Sequence, residues 1–262
     1  MANILEQIVV TKRREVELAR KTHMYSISEM ETGVKISLAG SLKNKPGIIA
    51  EFKRASPSKG LINGFSKIET IVEGYANAGA SAISILTDKV YFKAHSDDFG
   101  KARLVTSKPL LRKEFIIDEF QLIESRAMGA NVVLLIAAVL TKEEIRGFTQ
   151  KAHSLGMEVL LELHHESEIK KVSGLEDMIG VNNRNLKTFE VDIRQSSRIR
   201  KQLGWPEIPM ISESGLSGIG ELKYLLSEGF RGFLIGEHFM KQQNPVQEFE
   251  RFMQQFEREL VS

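Results

Sequence analysis

Eight short runs rich in Val, Ile and Leu, each separated from the next by a longer amphipathic segment, predict one (β/α)8 barrel with an N-terminal helical extension. Three observations carry that expectation. The runs are almost continuously apolar, as strands are when helices cover both faces of a parallel sheet. Gly79, Gly129, Gly156 and Gly229 each close a helical pattern one to three residues before the next run, so a single unit repeats. The length of 262 residues suits a barrel of this kind, which needs about 250 as one domain. An open doubly wound sheet has the same local pattern and is the alternative.

In chain order the strands are GIIAEFK, SAISILTD, PLLRKEF, NVVLLIA, MEVLLEL, MIGVNNR, PMISES and GFLIG. Between them IETIVEGYANAG, FQLIESRAMG, KEEIRGFTQKAHSLG and IGELKYLLSEG read as helices that stop at glycine. The first 45 residues stand outside the repeat, with a charged helix around Leu5 to Lys21 and a looser stretch from Gly40 to Pro46. They extend a barrel spanning 46–262 and do not form a second domain.

A 42% hydrophobic content with 27% charged residues describes an ordinary globular chain, and a net charge of +2 without a basic tract offers nucleic acid no footprint. The absence of cysteine excludes disulfides, thiolate metal sites and a cysteine nucleophile, and fits a reducing compartment. MANILEQIVVTKRR lacks a secretory pattern, and the longest apolar run, Val132 to Leu140, is about half the roughly 20 residues of a membrane span. The expectation is a cytoplasmic protein, monomeric or a weak homodimer, with no membrane partner. Trp205 offers only a spectroscopic probe.

In such a barrel the chemistry sits at the carboxyl ends of the strands. Charged and polar residues gather there: Glu51 and Lys53 on the first strand, Asp88 on the second, Lys113 on the third, Glu162 on the fifth, Asn182 and Arg184 on the sixth, Glu213 and Ser214 on the seventh. Alternation puts Glu51 and Lys53 on one strand face, and Asn182 and Arg184 repeat that spacing. One strand-end charge alone is usually a solvated loop residue. Six strands together predict an ionic pocket, whose buried signs must balance because an isolated buried ion outweighs a whole domain's stability of about 5–15 kcal/mol. A structural salt-bridge network in the barrel mouth is the blander reading.

After the seventh strand comes SESGLSGIGEL and after the eighth LIGEHFM, so glycines stand where two successive strands hand over to helices. Open backbone amides and a helix N-terminus at these two loops suit a phosphate. Gly215 and Gly236 allow its close approach, with Ser217 as a helix cap. The ligand expected is a phosphorylated small molecule.

EFKRASPSKG, LTDKVYF, LLRKEF, LLELH, IGVNNRNL, ISESG and LIGEHFM, in this order and over nearly the whole chain, resemble the indole-3-glycerol phosphate synthase family. Its most specific signature is E-x-K-x-x-S-P-S, here Glu51 to Ser58, and TKRREVE in the extension is similar too. The resemblance implies a carbon–carbon lyase of tryptophan biosynthesis that needs no cofactor. Its substrate would be 1-(o-carboxyphenylamino)-1-deoxyribulose 5-phosphate, cyclised with loss of CO2 and water to indole-3-glycerol phosphate. It further implies catalytic positions at Glu51, Lys53, Lys113, Glu162, Asn182 and Ser214. Substrate contacts fall to Ser56, Phe92, Phe115, Arg184, Leu186, Glu213 and Leu234, and the phosphate to Gly215, Gly236 and Glu237. One departure is KAHSDDF after LTDKVYF, where the family commonly has a glycine-containing turn.

Four other readings compete. A Schiff-base aldolase would also want a strand-end lysine in a mixed-charge pocket. Phosphoribosylanthranilate isomerase typically relies on a cysteine base, which this chain lacks. Glu162 and His164 share a strand face as metal ligands would, without a third partner, so no metal is expected. A non-catalytic phosphosugar-binding barrel would keep the pocket without turnover. SPSKGLINGFS, with Gly60 and Gly64 as hinges, reads either as a lid or as an ordinary loop.

Overall fold

The computed structural model describes residues 4–22, 36–204 and 207–260, so Trp205 lies outside the described residues. Eight parallel strands close into a barrel: β1 Gly47–Phe52, β2 Ala82–Leu86, β3 Leu110–Lys113, β4 Val132–Ile136, β5 Glu158–Leu163, β6 Met178–Asn182, β7 Met210–Glu213 and β8 Gly232–Ile235. Each pairs with its sequence neighbours, and β8 returns to β1 with Gly47 opposite Gly232 and Ala50 opposite Ile235. The outer layer comprises α3 Ile68–Asn77, α4 Asp98–Leu104, α5 Glu119–Ala127, α6 Lys142–Ser154, α7 Arg194–Leu203, α8 Ile219–Ser227, the short α9 Glu237–Met240 and α10 Pro245–Leu260; α1 Ile4–Thr22 and α2 Leu38–Asn44 precede the barrel. Among the described residues no helix is long and apolar enough to cross a membrane.

Strand alternation sorts the apolar side chains into two cores. Ile48, Ala50, Ile83, Val133, Leu161 and Phe233 face outward and pack under the helices. Ile49, Ala82, Leu111, Val132, Leu134, Leu160, Met178 and Ile211 face inward and fill the lower barrel. Continuing the same parity towards the carboxyl ends turns Glu51, Lys113, Glu162, Asn182 and Glu213 inward, above this apolar floor. The four glycines that close helices adopt the left-handed conformation, with φ of 98° at Gly79, 88° at Gly129, 76° at Gly156 and 89° at Gly229.

The stretch expected to be loose, Gly40 to Pro46, is largely the helix α2. Its start is capped twice. Ser37 accepts the Gly40 N–H at 2.8 Å, and Glu158 of β5 accepts the N–H groups of Leu38 and Ala39 at 2.8 and 3.2 Å. Leu38 and Leu42 are wholly buried and stopper the lower end of the barrel. Seven residues are too few for helical periodicity to register, and Glu158 lies too far along the chain to be recognised as a cap.

At the other end α1 lies against the barrel mouth. Its Lys12 is buried and reaches Asp88 at 2.8 Å and Glu114 at 3.1 Å. Asp88 therefore leaves the strand-end pocket in which it was expected, because it serves as counter-ion to the extension helix. Burial opposes the Lys12 charge, but Glu114 and Asp88 overcome it and hold the ammonium above the usual lysine range. Replacing Lys12 by Met strands two buried carboxylates. The expected loss is about 3–5 kcal/mol of unfolding free energy, read as a lowered urea midpoint together with faster amide exchange along α1.

Candidate active site

The inward-facing polar residues converge on one cavity of about 450 Å³ at the carboxyl end of the barrel. All sixteen residues expected at the site line it: Glu51, Lys53, Ser56, Phe92, Lys113, Phe115, Glu162, Asn182, Arg184, Leu186, Glu213, Ser214, Gly215, Leu234, Gly236 and Glu237. Five strands rather than six supply the polar groups, since Asp88 is engaged by Lys12. The bland end of NVVLLIA has its own use: Leu134 and Ile136 form an apolar part of the wall.

Lys113 stands at the centre. Its Nζ is 3.0 Å from Glu162 Oε2 and also contacts Glu213 Oε2, and both carboxyls are buried. Two anions around one cation leave a surplus charge that a buried site cannot hold cheaply. Burial drives the Glu213 carboxyl up, and the neighbouring Glu162 adds to this against Lys113, so it titrates near 8. Burial would raise Glu162 too, but Lys113, then His164 and a hydrogen bond from Glu213, reverse this and bring it to about 2. Lys113 is kept above the usual lysine range, because Glu162, Glu213 and Glu51 outweigh its burial. At neutral pH the trio is one ammonium, one carboxylate and one carboxylic acid, with no net charge.

Glu51 and Lys53 form the second pair, Oε1 to Nζ 2.9 Å, inside the mouth rather than on a solvated rim. Two glycines make room for the carboxylates. A Cβ at Gly236 would lie 2.6 Å from Glu51 Oε1, and one at Gly180 on β6 would collide with Glu213 Oε1. Asn182 Oδ1 accepts the Arg184 N–H at 3.0 Å, which shapes the turn that carries the guanidinium over the cavity. Arg184 then donates to the Phe189 carbonyl at 3.3 Å and approaches Glu237 at 3.5 Å.

Phe92 and Phe115 form an aromatic side of the cavity, ring centroids 6.2 Å apart. The KAHSDDF turn that presents Phe92 does so without glycine: Lys93 takes φ 58°, while Asp88 accepts the N–H groups of Tyr91 and Phe92 at 2.5 and 3.3 Å. The loop after β1 folds into a hairpin of Ala55–Ser56 with Gly60–Leu61. Its base is fixed by the buried bidentate pair of Arg54 with Asp98 and by Asn63, which donates to the Met240 carbonyl at 3.0 Å.

At the far end Ser214 and Gly215 have φ of 69° and 76°, two successive left-handed residues that curl the backbone into a concave turn. Left-handed serine is uncommon away from functional turns. Ser217 does not cap α8 as expected; Gly218 holds the cap position, and neither it nor Gly236 before α9 supplies a side-chain cap. The Ser217 hydroxyl meets Glu221 instead, at 3.4 Å. Lys59 and Lys241 bring positive charge to the same end of the cavity.

Two features of the cavity are not apparent in the sequence. Lys59 lies just after the Glu51 to Ser58 signature, where nothing in its spacing marks it as a site residue. Ile4, Leu5 and Ile8 of α1 close one side of the cavity, a role that only the extension's apolar face hinted at. His164, considered as a metal ligand, sits with Nε2 3.2 Å from Glu162 Oε1. Among the described residues the group with metal-binding spacing is His95, Asp97 and Asp98, outside this cavity, and Asp98 is already taken by Arg54.

The Glu213 carboxyl gives a pH test. Its proton is bound more tightly in the folded chain than in the unfolded one, so it weakens the fold progressively as pH rises from the ordinary glutamate range to about 8. Glu213→Gln should remove that slope, and its stability gain over the parent in urea unfolding should grow between pH 5 and pH 8.5. A gain that stays constant with pH would contradict the shared-proton arrangement.

The family model for indole-3-glycerol phosphate synthase matches residues 5–252. A relative described as indole-3-glycerol phosphate synthase from Bacteroides thetaiotaomicron is 44% identical over 259 residues, 97% of this chain and 98% of its own. One of the same description from Neisseria meningitidis is 42% identical over 254 residues, 93% of this chain and 96% of its own. The barrel also overlays N-acetylmannosamine-6-phosphate 2-epimerase from Clostridium perfringens with a TM-score of 0.58 at 15% identity, covering 82% of this chain and 95% of that one, a likeness of fold alone. Matched by the family model from α1 into α10 and by relatives almost end to end, the chain belongs to the indole-3-glycerol phosphate synthase family.

Proposed function

We propose that the cavity closes the ring of 1-(o-carboxyphenylamino)-1-deoxyribulose 5-phosphate, releases CO2 and water, and yields indole-3-glycerol phosphate, the product for which the family is named. The observation that carries this reading is Lys113 held as an ammonium at the centre of a neutral cup, between apolar walls and a glycine-lined anion end. A substrate with an aromatic carboxylate at one end and a phosphate at the other needs both ends held while the middle reacts.

The Gly215 and Gly236 turns and the Glu237 main chain take the phosphate with their amides, since the Glu237 carboxylate itself repels an anion. Arg184 and Ser56 take the aromatic carboxylate, for which a guanidinium fork is better suited than an ammonium. Phe92, Phe115, Leu186 and Leu234 pack on the ring. These contacts bring the ring carbon bearing the carboxylate onto the ketone carbon.

As that bond forms, negative charge grows on the ketone oxygen, and Lys113 donates its hydrogen bond and then its proton there. An alkoxide is more basic than an amine, so the transfer runs downhill even from an ammonium held this tightly. Loss of CO2 from the attacked ring carbon returns its electron pair to the ring system. Lys53 then protonates the departing hydroxyl, which leaves as water, and Glu51, 2.9 Å from Lys53, takes the proton that must leave carbon to form the indole. Glu51 returns its proton to Lys53, one proton from solvent recharges Lys113 and matches the proton that decarboxylation consumes, Glu162 keeps Lys113 charged, Glu213 tunes the pair, and Asn182 and Ser214 hold the turns that shape the cavity.

A Schiff-base lyase needs a neutral amine, and the carboxyls around Lys113 oppose that form. The substrate partner is thus a phosphorylated small molecule. We place its turnover in the cytoplasm, on a monomer or weak homodimer, in keeping with a cysteine-free chain.

Lys113→Ala should lower kcat by about 10² to 10⁴ while far-UV circular dichroism stays that of the parent. An unchanged kcat would remove Lys113 from the scheme. Gly236→Ala should displace the Glu51 carboxylate and reduce kcat/KM by about 10², measured as formation of the indole chromophore. Wild-type kinetics in this variant would show that the close packing of Glu51 on Gly236 is dispensable.

A further inference from the structure

His164 follows β5 directly, two positions beyond Glu162, and so shares its inward strand face. The side chain is only 8% exposed. Its main chain is anchored on both sides: the N–H donates to Glu168 Oε2 at 2.6 Å, and the carbonyl accepts from the Gln195 amide. The ring is not anchored in the same way. Nε2 lies 3.2 Å from Glu162 Oε1 without the alignment of a hydrogen bond, and Nδ1, also buried, has no partner among the described residues. Buried polar atoms without partners are costly, so an imidazole here is retained against an energetic penalty.

The Glu162 carboxylate is therefore bracketed. Lys113 takes Oε2 at 3.0 Å, and His164 faces Oε1. A metal does not explain the pair, because no third ligand joins His164 and Glu162 among the described residues. An imidazole can offer Nε2–H to Oε1 from a short, rigid side chain, whereas a lysine or arginine at this position would bring a second permanent cation beside Lys113. Catalytic hydrogen bonds are often poorly aligned before substrate binds and tighten in the complex.

We propose that His164 is a positioning residue for Glu162: its Nε2–H takes Oε1 and holds the carboxylate plane so that Oε2 stays on Lys113 while the ring closes. This rests on Glu162 taking part in the reaction as described above. A purely structural histidine would affect folding and leave the balance between kcat and KM alone.

The test is steady-state turnover of 1-(o-carboxyphenylamino)-1-deoxyribulose 5-phosphate by His164→Leu, His164→Gln, Glu162→Gln and the Glu162→Gln/His164→Leu double variant. His164→Leu should lower kcat by about 10² with KM within about twofold, and His164→Gln, which keeps an N–H donor, should recover most of that loss. The double variant should be no slower than Glu162→Gln alone, because His164 acts through that carboxylate. Multiplicative losses in the double variant, a wild-type kcat in His164→Leu, or a glutamine variant as slow as the leucine one would each overturn the proposal. If His164→Leu unfolds at a lower urea midpoint, His164→Phe, which fills the space without an N–H donor, takes its place in the cycle, with the same two outcomes. A wild-type kcat in Glu162→Gln would sink the role of Glu162 and this proposal with it, whereas the other failures leave Glu162 in place.

Discussion

The contact of Lys113 with Glu162 and Glu213 is the constraint around which the upper barrel is arranged. One buried cation between two carboxyls is neutral only if one of them keeps its proton, and burial makes Glu213 the one that does. Other features serve that balance. Gly180 leaves space for Glu213, Gly236 leaves space for Glu51, and Lys53 neutralises Glu51 within the same cavity. The apolar floor formed by Ile49, Leu111, Leu134 and Leu160 keeps water from relaxing these charges from below. A pocket built in this way holds its acid and base forms ready at neutral pH without relying on solvent.

A second ionic centre, Lys12 with Asp88 and Glu114, lies directly behind the first. Glu114 is the next residue after Lys113, and alternation sends its carboxylate to Lys12 of the extension helix while Lys113 reaches Glu162 and Glu213. One tripeptide, Arg112 to Glu114, thus makes three attachments: Arg112 holds Glu124 of α5 at 2.6 Å, Lys113 holds the reacting groups, and Glu114 holds α1. The extension is therefore a wall of the site as well as a cover, since Ile4, Leu5 and Ile8 come with it.

Much of this was legible in the sequence because it depends on period. The eight apolar runs, the closing glycines and the position of each polar residue at a strand end follow from two-residue alternation and helix-capping rules, while Ser56, Phe92, Phe115, Leu186, Leu234 and Glu237 were expected only through the family resemblance; all sixteen site residues meet in one cavity. What was not legible depends on contacts between distant positions. Asp88 looked like every other strand-end charge, and only the arrival of Lys12, 76 positions earlier, diverts it from the pocket. Helix α2 is too short to show a period and is capped by Glu158 from another part of the chain. Ser217 fitted a capping pattern by type, but the double left-handed turn at Ser214 and Gly215 moves the helix start to Gly218.

The seam between β1 and β8 has a consequence for how the chain is made. Gly47 reaches its partner Gly232 only after almost the whole polypeptide has left the ribosome, and the Arg231 side chain closes the same join by donating to the Leu42 carbonyl at 3.3 Å. Until then the first strand has an unpaired edge, and the α2 stopper sits beneath an open sheet. Nascent chains that stall before residue 232 would thus present that edge to one another, which makes late synthesis the interval in which this barrel most needs chaperone protection.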